Sequence, residues 1–179
     1  MDELIVLGQK LAYAGHWPEA GQAFQVLLKK ARQANHISYQ SLALLFQGRL
    51  HNDQDNYQQA LDLFHQALDL AKLTNDLTLV AQIYDGMGIA FEGQDRFKDA
   101  IIRHKLASEI YQRLGDEAGG LISKANLGNV YRRQGDLEQA VAVYKDMLEY
   151  AIRKGAEQIA AEVYCNLGLV YHQQDLRDL

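Results

Sequence analysis

The chain has 179 residues, 48% hydrophobic and 23% charged with a single proline, a composition that excludes a disordered or collagen-like chain. Eighteen Lys and Arg against 23 Asp and Glu leave a net charge of -5, so no polycationic surface is expected for a phosphate backbone and nucleic acid is not an expected partner. The apolar run Leu42 to Phe46 is far short of the roughly 20 residues of a membrane span, Met1-Asp2-Glu3 is not a signal-peptide start, and the lone Cys165 has no partner for an internal disulfide; no membrane is expected, and a reducing cytoplasm is the expected location.

A constant period of forty residues organises everything that follows. The first copy, residues 1–36, places Gly8 on a helical stripe, a polar break at Ala14-Gly15-His16, and then Trp17, Ala20 and Phe24 on a second helix. Pro18 opens that second helix, where a missing N–H costs little. The second copy, 37–76, repeats the series as Gly48, Gln54-Asp55-Asn56, Tyr57, Ala60 and Phe64. The third, 77–116, reads Gly88, Gln94-Asp95-Arg96, Phe97, Ala100 and His104. The fourth, 117–156, reads Gly128, Gln134-Gly135-Asp136, Leu137, Ala140 and Tyr144. The fifth, 157–179, is incomplete. It keeps Gly168, but its bulky slot falls on Arg177 and Leu176 comes one place early, as a one-residue deletion in the preceding turn would produce.

Spacings of three and four put the markers of each copy on one helical face, and the short breaks force sequential helices to lie antiparallel. Each copy is therefore expected to be a hairpin of helix A and helix B, each roughly 16 residues long. Glycine inside a helix is about 0.5–1 kcal/mol worse than alanine. Five glycines on one register predict that helix A meets a neighbour too closely for a side chain.

The segment Asn126-Leu127-Gly128-Asn129-Val130-Tyr131, followed by Gly135-Asp136-Leu137 and Ala140, resembles the tetratricopeptide repeat, and Asn166-Leu167-Gly168-Leu169-Val170-Tyr171 repeats it. The forty-residue period and the junction Ile110 to Asp116 resemble the longer variety found in bacterial regulators and peptide-binding adaptors. The resemblance covers essentially the whole chain and implies an all-α, right-handed superhelical solenoid of about four and a half repeats in one domain, 1–179. Gln47, His51 and His104 depart from it, standing where the family prefers a leucine or an aromatic.

Catalytic and metal chemistry finds no pattern. The six histidines form no His-Glu-x-x-His arrangement, and Cys165 has no zinc-spaced partner. Gly86-Met87-Gly88 lies inside a helix without the lysine ending of a phosphate loop, and no serine stands in a nucleophile elbow. No enzyme activity, cofactor or metal is expected.

In the family the resemblance points to, the A helices line a concave groove that holds extended peptides. Residues just off the Leu-Gly stripe then face the groove: Ile5, Val6 and Gln9; Leu45, Phe46, Arg49 and Asp53; Asp85, Ile89 and Glu92; Ala125, Asn126, Asn129, Arg132 and Arg133; Cys165, Asn166, Leu169, His172 and Gln173. Within that set Asn126, Asn129, Arg132, Arg133, Asn166 and His172, with Arg49, Asp85, Glu92 and Phe46, are the expected partner contacts. Asparagine amides suit a peptide backbone and arginines a carboxylate. The carboxylate-clamp slots of chaperone-binding members read Ile5, Gln9, Phe46, Gln82 and Gly86 here, which is no clamp. The expected function is a scaffold for a partner protein or peptide; the alternative is the sensory arm of a larger bacterial regulator. Self-association through an exposed fifth repeat is a further expectation, since a natural array end carries a polar capping helix.

Overall fold

A computed structural model describes residues 1–175. It is helical between short turns: α1 (Asp2–Tyr13), α2 (Trp17–Gln33), α3 (Ile37–Asp53), α4 (Tyr57–Leu73), α5 (Leu77–Gly93), α6 (Phe97–Leu114), α7 (Glu117–Gln134), α8 (Leu137–Lys154) and α9 (Glu157–Asp175). The odd-numbered helices are the A helices of the forty-residue copies and the even-numbered ones the B helices. The second helix expected for the fifth copy, with Leu176 and Arg177, lies outside the described residues.

The turns obey a rule at half the repeat period. Every twentieth residue, Gly15, Asn35, Asp55, Asn75, Asp95, Gly115, Gly135 and Gly155, has a positive φ between 52° and 86°. The residue after each one donates its N–H to the carbonyl five places back, as His16 to Leu11 at 2.9 Å and Asp136 to Tyr131 at 2.9 Å. This is the Schellman closure, which satisfies helix-end carbonyls and needs one left-handed residue. Asparagine and aspartate tolerate that conformation best among residues with a Cβ, which is why four of the eight turns manage without glycine. Asp76, Asp116 and Asp136 then cap the next helix by accepting from the N–H three residues on, at 2.9, 2.9 and 3.3 Å.

The chain divides into two compact units, Met1–Arg96 and Phe97 onward. In the first, α1 to α5 pack in sequence, and α3 also touches α5 and α1. In the second, α6 to α9 pack in sequence. Each B helix buries its alanine marker completely: Ala20, Ala60, Ala100 and Ala140 are all 0% exposed.

The glycine register has the cause the spacing predicts in three of its five places. A Cβ at Gly8 would sit 2.4 Å from the Phe24 ring, one at Gly48 2.5 Å from Phe64, and one at Gly128 2.6 Å from Tyr144. The A-helix glycine is thus a socket for the B-helix aromatic sixteen residues later. Gly88 is buried in the same register as the fully buried His104. Gly168 differs: nothing among the described residues lies within 4 Å of where its Cβ would be.

Three further glycines are sockets that no periodicity marks. Gly86 also meets the Phe64 ring, with a Cβ approach of 2.6 Å to Cζ, so this phenylalanine packs against two glycines. Gly93 faces Tyr57 at 2.2 Å, and Gly119 faces Tyr111 at 2.5 Å. Tyr111 stands where the other copies carry Ala31, Ala71 and Ala151, all essentially buried. The extra bulk fits because Gly119 replaces the Tyr39, Leu79 or Ile159 of the other copies.

Candidate functional site

In the first unit the A-helix face forms a hollow of about 150 Å³ between α1 and α3. The rings of Phe24 and Phe46 stack at its floor, with centroids 5.2 Å apart and planes 12° from parallel. Ala12 and Leu50 complete the apolar wall, and Gln9, Arg49 and Asp53 stand around them. The Arg49 guanidinium lies 5.7 Å from the Phe46 ring centroid, within cation–π range. Partial burial pushes the Asp53 carboxyl above the ordinary carboxylate range, and the Arg49 charge pulls it back. The sequence-derived contacts Phe46 and Arg49 therefore meet at one place, though Phe46 presents little more than an edge, being 7% exposed.

Two expectations for this unit need correction. Leu45 is 0% exposed and Asp85 6% exposed, so neither faces solvent. Both lie on helices with neighbours on several sides, as α3 touches α1, α2, α4 and α5 and α5 touches α3 and α4, so little of the circumference of either is left open. Glu92 is half-buried on α5.

The second unit presents a polar A-helix face. Asn126, Asn129 and Arg132 are half-buried on α7 and Arg133 is exposed; on α9 Asn166 is half-buried while His172 is exposed. Gln173 of α9 reaches to 3.5 Å from the Arg132 carbonyl, one link between the C-terminal ends of these two A helices. Two of the expected partner contacts also have a structural task. Asn129 Oδ1 accepts a 2.8 Å hydrogen bond from the hydroxyl of Tyr144, a fully buried residue. The Arg133 guanidinium lies 5.6 Å over the Phe97 ring, in the register where Gly93 receives Tyr57. No packing signal in the sequence separates these two from Asn126 and Asn166, because a polar residue at a core margin and one on an open face share the same helical stripe.

Away from the A-helix face, Glu117 ties the start of α7 to the end of α8. It accepts from Tyr150 Oη at 2.7 Å and pairs with Lys154 Nζ at 3.0 Å. The tyrosine hydrogen bond first, and the Lys154 bond second, hold the Glu117 carboxyl below its usual range. Among the described residues no group of three His, Cys, Asp or Glu could hold a metal ion, and no helix is long and apolar enough to cross a membrane.

The tetratricopeptide repeat model matches residues 39–113 and 120–178, and the chain belongs to that family. No curated protein matches the sequence. Among solved structures, BtubC from P. vanneervenii is similar at TM-score 0.81 and 21% identity, over 96% of this chain and 71% of its own. A Rap protein complexed with competence and sporulation factor is similar at TM-score 0.82 and 14% identity, over 98% of this chain and 51% of its own. The apo form of RapI is similar at TM-score 0.80 and 17% identity, over 98% and 50%. At these identities the likeness shows the fold, a tetratricopeptide-type solenoid. The chain spans about half the length of the two Rap structures.

Proposed function

We propose that this chain is an interaction scaffold that holds an extended segment of a partner protein or peptide on its A-helix faces, with no chemistry of its own. The single observation that carries this is the polar A-helix face of the second unit. There α7 carries Asn126, Arg132 and Arg133 and α9 carries Asn166 and His172, all half-buried or exposed, and among the described residues no group of three His, Cys, Asp or Glu could hold a metal ion. Amide side chains donate and accept at once, which suits a peptide backbone, and the arginines favour an acidic or carboxylate-bearing segment. Structures similar in fold support the reading: one Rap protein is complexed with competence and sporulation factor, and the Rap regulator of plasmid pLS20 with the Phr* peptide.

A second reading has one observation in its favour. Since the chain spans about half of those Rap structures, it fits the ligand-sensing arm of a larger regulator in the cytoplasm of a bacterium. The complete reading frame decides between arm and free scaffold.

The test begins with affinity capture from the native lysate and identification of the bound segment. Asn126→Ala with Arg133→Glu should then lose most of the affinity for that segment, and binding should weaken with added salt. Losing the Phe97 contact costs the double variant only about 0.5–1 kcal/mol at this exposed site, so its helical circular dichroism should be retained and its melting temperature should fall only slightly. Full affinity in the double variant would remove the α7 and α9 face from the site.

A further inference from the structure

Helix α9 keeps the glycine of the repeat register, but nothing among the described residues fills the socket it makes. On α3 and α7 the same stripe is covered: Leu44, Gly48 and His51, and Lys124, Gly128 and Tyr131, are all buried or half-buried. Their counterparts on α9, Tyr164, Gly168 and Tyr171, are exposed, Tyr164 by 60% and Tyr171 by 43%. Gly48 and Gly128 each meet an aromatic ring from the antiparallel helix that follows, whereas no described atom lies within 4 Å of a Cβ at Gly168. The stripe therefore has the shape of a helix-docking face without its helix.

We propose that a second copy of this chain covers the stripe, with the two α9 helices antiparallel and Tyr171 of each copy seated in the Gly168 socket of the other. The stripe is complementary to itself when reversed. Gly168 and Tyr171 are three residues apart, a rise of about 4.5 Å, so a two-fold axis passing between them sets each tyrosine against the other copy's glycine. The same axis pairs Tyr164, four residues before Gly168, with Asp175, four residues after Tyr171. Both are exposed and α9 is helical through Asp175, so the tyrosine hydroxyl can donate to the carboxylate across the pair.

A two-fold contact requires this reciprocity, residue i on j and j on i. The antiparallel sense is also the one in which Gly48 already receives Phe64 and Gly128 receives Tyr144. The second α9 thus stands in for a B helix. One helix pair buries less than the roughly 800 Å² per partner of a standard interface, so the dimer is weak and reversible. It goes beyond the partner-binding reading and does not depend on it.

The full chain would be sedimented between about 1 μM and 1 mM, the span of weak affinities. A reversible monomer–dimer equilibrium is expected, with concentration-dependent nitrogen-15 amide shifts centred on residues 164–175. Gly168→Leu places a side chain where the monomer has room and the other copy's tyrosine must sit. Its helical spectrum should be kept and its association should fall about tenfold or more. Tyr171→Ala should weaken association similarly, and Tyr164→Phe severalfold. The double variant Gly168→Leu, Tyr171→Ala exchanges knob and socket, a leucine entering the space an alanine leaves on the other copy, and should recover most of the association.

A chain that stays monomeric to about 1 mM would overturn the proposal. So would a dimer indifferent to Gly168→Leu, or a double variant that associates no better than Gly168→Leu alone. A monomer whose α9 amides shift instead with a synthetic peptide of residues 137–154 would give the stripe to a helix of the B type and overturn the second copy. Asn126→Ala with Arg133→Glu, which tests the partner face, should leave the dimer intact; loss of the dimer in that variant would move the contact off the α9 stripe and overturn the proposal.

Discussion

Helices α3 and α7 occupy the same place in successive pairs of repeats, yet they solve the packing problem differently. On α7 the stripe residues Leu127 and Tyr131 join Leu137, Tyr144, Met147, Val163 and Val170 in one apolar cluster. On α3 the same two slots hold Gln47 and His51, and both Gln47 Nε2 and His51 Nδ1 are buried without a hydrogen-bond partner. The first unit compensates from other sides of the helix: Ala43, Leu44, Leu45, Phe46 and Leu50 are all buried, and Ser41 and Asn52 donate to the carbonyls of Ala67 and Gly86 at 2.7 and 2.9 Å. One repeat frame therefore tolerates a polar stripe when the helix is enclosed by several neighbours. When the stripe is apolar, as on α7, polar residues such as Asn129 stand at its margin.

The largest effects should come from the sockets common to both helices. Gly48→Leu and Gly128→Leu force a side chain into a space already filled by Phe64 or Tyr144, and overpacking of this kind costs about 1–3 kcal/mol. At Gly168→Ala the new Cβ meets nothing within 4 Å among the described residues, and the variant should instead gain about 0.5–1 kcal/mol from helix propensity. Denaturation midpoints of the three variants measure this. The same sign at Gly128 and Gly168 would mean that the aromatic socket is not what keeps glycine in the register.

The next effect sharpens the contrast between the two helices. Gln47→Leu puts on α3 the residue that α7 carries as Leu127 and removes a buried amide nitrogen without a partner. Relieving such a group should raise stability by about 1 kcal/mol. A fall in the midpoint would show that α3 needs its polar stripe.

Most of the architecture was legible because it rests on small residues at fixed spacing: the hairpins, the turns and the buried alanines all follow the forty-residue frame. The sockets at Gly93 and Gly119 were not, since each depends on one repeat departing from the others: a glycine at 93 beside the register aromatic Tyr57, and an aromatic at 111 beside Gly119. A comparison of slots would have exposed Tyr111 among three alanines. The outward faces were only half legible. Periodicity places Asp85 and Leu45 next to the groove stripe, but enclosure of α3 and α5 by their neighbours buries them. Asn129 and Arg133 look like open-face residues until Tyr144 and Phe97 are seen beside them.

The proposed scaffold meets its partner with its A helices and not with its B helices. Hydrogen exchange of the full chain, with and without its captured segment, reads this at every backbone amide. Protection is predicted on the A helices, concentrated in α7 and α9 between Asn126 and His172, with α2, α4, α6 and α8 exchanging as in the free protein. Protection confined to the B helices, with α7 and α9 unchanged, would contradict it.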